Sequence, residues 1–172
     1  GKTFCRLEID SYEAGGQDWS EVLPEEFQQR KGYDVRLWLP CIVGKRIIES
    51  NEVSKRFKDD FVDVLTSLFA ENYYGYMEQL AEQSAPGMQL LIEPYGTGGQ
   101  KPFRVLNIYK ILSQTPNSLV ATEFWVKPNW GWRDMQGHEK VMRTLQKPLL
   151  IAEAFICWPL FAWQDCPQSL KP

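Results

Sequence analysis

Apolar residues fall along this chain in two alternating patterns. Four short runs have no helical period: Phe4-Cys5-Arg6-Leu7-Glu8-Ile9, Met88 to Ile92, Leu119-Val120-Ala121-Thr122 and Leu149-Leu150-Ile151-Ala152. Runs of this length, bounded by turn formers, predict buried strands. From Glu52 to about Gln83, by contrast, Val53, Phe57, Phe61, Val64, Leu65, Leu68, Phe69, Tyr73, Tyr76 and Leu80 recur at steps of three and four. That spacing predicts one long amphipathic helix, with Lys55, Arg56, Lys58, Asp59, Asp60 and Asp63 on its solvated face.

Shorter elements fill the gaps. Pro24 to Lys31 predicts a helix capped by Ser20 and stopped at Gly32, and Met135 to Leu145 predicts another. Phe103 to Leu112 reads as a helix or an irregular turn. Tyr33 to Ile48 lacks a sustained period and reads as an irregular segment packed over the helices. Pro86-Gly87 and Pro116-Asn117 turn the chain into the second and third strands. Gly75, inside the long helix, costs about 1 kcal/mol relative to alanine unless a kink or close packing requires it.

Each strand leads into acid. Ile9 is followed by Asp10-Ser11-Tyr12-Glu13, Ile92 by Glu93-Pro94-Tyr95-Gly96, Thr122 by Glu123-Phe124-Trp125, and Ala152 by Glu153-Ala154-Phe155. Pro94 pushes Glu93 towards extended backbone, and Gly96 permits the turn beyond it. Glu13, Glu93, Glu123 and Glu153 stand 80, 30 and 30 residues apart in order, and about 30 residues suits one strand-helix-strand unit. Parallel strands joined by helices place their C-terminal ends at one mouth. The expected fold is therefore α/β, a partial (β/α)8 TIM barrel whose strand-end acids converge, with residues 1–172 forming a fragment of one catalytic domain. A closed barrel of this kind takes about 250 residues, so the chain reads as part of a larger enzyme. Glu8, inside the first strand, reads as structural.

Composition narrows the chemistry. With 44% apolar and 24% charged residues the chain is that of a soluble globular protein, and no run of 18 apolar residues occurs. A net charge of −3 and a pI near 5.3, without a basic cluster, argue against a nucleic-acid surface. Cys5, Cys41, Cys157 and Cys166 lack zinc spacing, and the single His138 has no ligand partner nearby. Cys157 and Cys166 flank a loop and could pair in an oxidising compartment; free buried thiols are the alternative. The loop from Thr97 to Pro102 is rich in glycine but has no lysine-serine pair of a phosphate loop.

Paired carboxyl groups are the working parts of glycoside hydrolysis. Tyr12, Tyr95, Phe124, Trp125, Trp130, Trp132 and Trp158, interspersed with the acids, offer flat apolar faces to sugar rings. Several carboxylates at one mouth repel each other unless some are protonated or a cation lies among them. Oxygen-only ligands favour a hard ion such as Ca²⁺.

The chain resembles the α-L-rhamnosidases of glycoside hydrolase family 106. The resemblance rests on Ile9-Asp10-Ser11-Tyr12-Glu13, Gln17-Asp18-Trp19-Ser20, Arg30-Lys31-Gly32-Tyr33-Asp34, Leu39-Pro40, Ala70-Glu71-Asn72-Tyr73-Tyr74-Gly75, Glu93-Pro94-Tyr95-Gly96, Glu123-Phe124-Trp125, Lys147-Pro148 and Ala152-Glu153-Ala154-Phe155, in that order. It implies a (β/α)8 catalytic barrel and inverting hydrolysis assisted by calcium. Glu13 is then the expected general acid and Glu123 the base. Glu93, with Asp10, is expected at the calcium ion, and Glu153, Tyr12, Tyr95, Trp125 and Trp158 at the substrate, an oligosaccharide, polysaccharide or rhamnosylated glycoside. The resemblance favours an extracellular or periplasmic setting. It departs from the family pattern at Arg143-Thr144-Leu145-Gln146, where a histidine, an aromatic residue and a glycine are common, and at Ile156, where threonine is usual. Two rival readings are a retaining, β-galactosidase-like barrel enzyme and a non-catalytic carbohydrate-binding or scaffold module.

Overall fold

A computed structural model describes residues 3–10, 18–93, 107–125 and 139–155, with backbone alone at 108, 122–125 and 149–155. The chain divides into two compact units. The first comprises Gly1–Glu13, Met77–Gly99 and Pro116–Pro172, and the second Ala14–Tyr76 and Gln100–Thr115.

The four apolar runs form the sheet of the first unit: β1 (Arg6–Ile9), β2 (Gln89–Ile92), β3 (Leu119–Trp125) and β4 (Leu149–Phe155). All neighbours are parallel and the spatial order β1-β2-β3-β4 repeats the sequence order. Leu90, Ile92, Val120 and Ala121 are buried. β1, at an edge, leaves Arg6, Leu7 and Glu8 exposed. Its pairing to β2 is extended at both ends, by Gln89 N–H to the Cys5 carbonyl (3.1 Å) and Glu93 N–H to the Ile9 carbonyl (2.9 Å).

Helices build the second unit. The helix α1 (Leu23–Lys31) starts with Pro24 in its first turn, where a missing N–H costs nothing. Val22, not Ser20, occupies the cap position and supplies no side-chain bond; Ser20 contributes only its carbonyl, to Leu23 N–H. Gly32 ends α1 in the left-handed region at φ 83°, as its sequence position predicts. The stretch read as irregular holds a 3₁₀ turn (Val35–Trp38) and α2 (Leu39–Val43). Pro40 in the first turn of α2 makes that helix possible, while five residues are too few to display a period.

The long periodic segment is α3 (Asn51–Phe69), a π-helical turn (Ala70–Gly75) and α4 (Tyr76–Ser84). Ser50 caps α3, its hydroxyl accepting from Val53 N–H at 3.1 Å. Phe57, Phe61, Val64 and Leu65 of α3 pack with Leu23, Phe27, Val35 and Cys41 in one core. Phe57 is central to it, stacked on Trp38 at 5.5 Å and near Phe27 and Phe61 at 6.0 Å each. Truncating such a side chain to alanine costs about 3–5 kcal/mol. Before the π turn, the Thr66 and Ser67 hydroxyls donate to the carbonyls four residues back, an arrangement that bends helices. The helix α5 (Ile108–Gln114) is capped by Asn107, whose side chain accepts from Tyr109 N–H at 3.0 Å.

Charged groups bind the second unit at its surface. Arg30 donates to both carboxylate oxygens of Glu71 at 2.9 and 2.7 Å, joining two of the motifs that carry the family resemblance. Lys31 reaches Asp60 and Asp63 at 2.8 and 3.0 Å, and Lys110 of α5 also pairs with Asp63. Hydrogen bonds from Lys110 and Lys31 hold the Asp63 carboxyl below the usual range, against the opposing effect of burial. Burial, then the bond to Asp60, raises the Tyr33 hydroxyl above its ordinary value. Among the described cysteines Cys41 is buried and Cys5 is exposed, both free, so burial of the thiols holds for one and fails for the other. Cys157 and Cys166 lie outside the described residues, as do the loop 97–102 and residues 103–106 of the segment read as a helix or an irregular turn. No helix among the described residues is long and apolar enough to cross a membrane.

Candidate active site at the C-terminal edge of the sheet

Because all four strands are parallel, their C-terminal ends share one edge, and the sequence delivers an acid to each. Ile9 is the register partner of Ile92, and Ile92 of Val120. Asp10 and Glu93 therefore follow neighbouring strands at equivalent positions. Asp10 is exposed, whereas Glu93 is only 1% exposed. A carboxylate this deeply buried at a strand exit is uncommon unless it is paired or hydrogen-bonded.

Glu123 and Glu153 differ from expectation in one respect. Both lie inside their strands, which run on to Trp125 and Phe155. The β3–β4 register shifts between Thr122 and Glu123, so that Thr122 pairs with Ile151 but Glu123 pairs with Glu153. Bulges of this sort are concentrated next to active sites, where they re-aim side chains. The shift makes the two glutamates direct register partners, with neighbouring backbones about 4.8 Å apart. Trp125 ends β3 opposite Phe155.

Of the expected site residues, Asp10, Glu93, Glu123, Glu153 and Trp125 are thus brought to one edge of one sheet. Glu13, Tyr12, Tyr95 and Trp158 lie outside the described residues. Among the described residues no three of the His, Cys, Asp and Glu side chains form a group suited to a metal ion.

The opposite edge carries a cluster that the sequence did not flag. Glu78 of α4 accepts from the Ser118 hydroxyl at 2.5 Å and from Asn117 N–H at 3.4 Å. The Lys147 ammonium donates to the Ser118 carbonyl at 3.2 Å. Burial lowers the Lys147 pKa, with Glu78 opposing that effect. Ser118 immediately precedes β3 and is 1% exposed, while Lys147 comes two residues before β4. The available signal was Lys147-Pro148, a charged residue fixed ahead of an apolar strand.

A family model described as alpha-L-rhamnosidase matches residues 1–172. This chain belongs to that family, glycoside hydrolase family 106. A relative from Formosa agariphila, which carries the provisional name beta-glucuronidase, is 31% identical over 125 residues, covering 73% of this chain. The match takes in only 10% of the relative, so the chain spans about a tenth of the length of that curated protein. The family description and the relative's name are both those of glycosidases. They differ over the sugar.

Proposed function

We propose that this family-106 chain contributes part of a (β/α)8 barrel that hydrolyses terminal α-L-rhamnosides with inversion. The single observation that carries the reading is the whole-chain family match, joined to a sequential parallel sheet with an acid in the last few residues of a strand or just after it in each case. Glu123 serves as the base and takes a proton from water as its oxygen attacks the anomeric carbon. Glu13 gives its proton to the glycosidic oxygen as the carbon–oxygen bond breaks. Inverting enzymes hold their two carboxyl groups ~6.5–9.5 Å apart, leaving room for water, and retaining ones ~5 Å.

Asp10 and Glu93, at equivalent exits of adjacent strands, are oxygen donors of the kind a calcium ion takes. They would supply two of its ligands, and bound calcium would provide positive charge towards sugar hydroxyls. Glu153, Tyr12, Tyr95, Trp125 and Trp158 would contact the substrate.

The named relative favours a second reading, a glucuronide substrate. Four acids at one edge weigh against it: a uronate carboxylate would add like charge to the site, whereas rhamnose is neutral. The test is turnover of aryl α-L-rhamnoside and aryl β-D-glucuronide by the complete protein that contains this chain, with and without a calcium chelator. Turnover of the rhamnoside alone, lost on chelation and restored by Ca²⁺, is expected. Turnover of the glucuronide alone would overturn the sugar assignment, and binding of rhamnose without turnover would make the chain part of a binding module.

A further inference from the structure

We infer that Glu78, Ser118 and Lys147 form a positioning clamp that sets the register in which β3 and β4 present Glu123 and Glu153. The inference rests on the glycosidase reading above.

The ladder alone holds β3 weakly. Its pairing with β2 runs only from Leu91 opposite Leu119 to Ile92 opposite Val120. Its pairing with β4 is longer but contains the shift between Thr122 and Glu123. A one-residue slip in a parallel pair moves every side chain to the other face. With so short a ladder on one side and a bulge on the other, the backbone needs a second reference point.

Glu78 supplies it. Its carboxylate takes the Ser118 hydroxyl and the Asn117 N–H, fixing the residues that enter β3. Lys147 then ties the entry of β4 to the same place through the Ser118 carbonyl, while its own N–H is held by the Met142 carbonyl at 3.0 Å. Glu78 is half-buried and Ser118 is buried, so water competes poorly for these bonds, and removing one partner leaves the other unsatisfied at a cost. Glu123 lies five residues beyond Ser118 and Glu153 six beyond Lys147. A misplacement of about 1 Å at a reacting group can cost ~10²-fold in rate.

The experiment compares wild type, Glu78→Ala and Glu78→Gln in the complete protein, by steady-state kinetics on aryl α-L-rhamnoside and by hydrogen exchange of the strand amides. Glutamine keeps an acceptor for Asn117 N–H and a polar partner for Ser118. Expected for Glu78→Ala is a kcat at least 10-fold lower with KM within twofold, and faster exchange across 119–125 with 89–92 unchanged. Glu78→Gln should restore kcat to within threefold. A Glu78→Ala enzyme with unaltered kcat, or one whose loss only follows its folded fraction by circular dichroism, would overturn the inference. If wild type fails to turn over the rhamnoside, the functional proposal falls, and exchange alone decides the clamp: faster exchange at 119–125 supports it and unchanged exchange refutes it. Should Glu78→Ala not fold, Ser118→Ala and Lys147→Met are read by the same criteria.

Discussion

Replacing Gly75 with alanine should destabilise the protein, although the glycine lies within a continuous run of helical turns. Helix propensity alone predicts the opposite, a gain of about 1 kcal/mol. The π turn decides the sign. A methyl group at Gly75 would lie 2.9 Å from the Ala70 carbonyl oxygen, 3.3 Å from Gln114 Cβ and 3.4 Å from the Gln114 carbonyl oxygen. None of these is the free end of a flexible side chain, so relief requires movement of the backbone of the π turn or of α5. Overpacking of this kind costs about 1–3 kcal/mol, and rigid neighbours favour the upper half of that range. The net effect is a loss of about 1–2 kcal/mol after the propensity gain is subtracted. For a chain of this size it corresponds to a fall in Tm of about 2–8 °C. Urea unfolding followed by circular dichroism measures it directly, as a lower midpoint at unchanged slope. A Gly75→Ala midpoint equal to or above wild type would refute the reasoning.

Two further expectations concern stability. Ser50→Ala removes the hydroxyl that caps α3 at Val53 N–H and should cost about 1 kcal/mol, read from the same unfolding curve. The Asp63 carboxyl is held low by Lys110 and Lys31, and that of Glu71 by Arg30. A depressed folded pKa stabilises fully above the unfolded values, about 3.9 for aspartate and about 4.3 for glutamate, and the contribution is lost as pH falls through the folded values. Both groups are partly exposed, so each contributes about 1 kcal/mol or less. Asp63→Asn and Glu71→Gln should therefore lower stability at pH 7 and flatten its decline below about pH 4, and an unaltered acid limb would contradict the pairing.

The sheet was legible because a buried parallel strand leaves a plain trace, an apolar run without helical period. All four runs became strands, each shorter or longer by a few residues than its run. The bulge between Thr122 and Glu123 left no such trace, since it arises from pairing between distant segments, and it is the feature that sets Glu123 opposite Glu153. Periodicity revealed the helix from α3 to α4 but not its π turn, which differs from an α turn by a single residue; only Gly75 hinted that close packing was needed there. Ser20 was misjudged as a cap because a capping residue is defined by backbone geometry at the helix start, and the chain starts α1 one position before Pro24. Arg30 and Glu71 were recognised as parts of motifs, yet their mutual ion pair spans 41 residues and becomes visible only after folding. The Glu78 clamp was missed for the same reason: a helix glutamate gives no local sign that it will receive the entry of a strand.

The central claim is that the acids at the C-terminal edge of the sheet are the reacting groups of a glycosidase. Its most direct test is Glu123→Gln in the complete protein, with kcat on aryl α-L-rhamnoside and rhamnose binding measured side by side. Removal of an essential base should lower kcat by at least 10²-fold while rhamnose still binds. Full turnover in the Glu123→Gln enzyme would contradict the account.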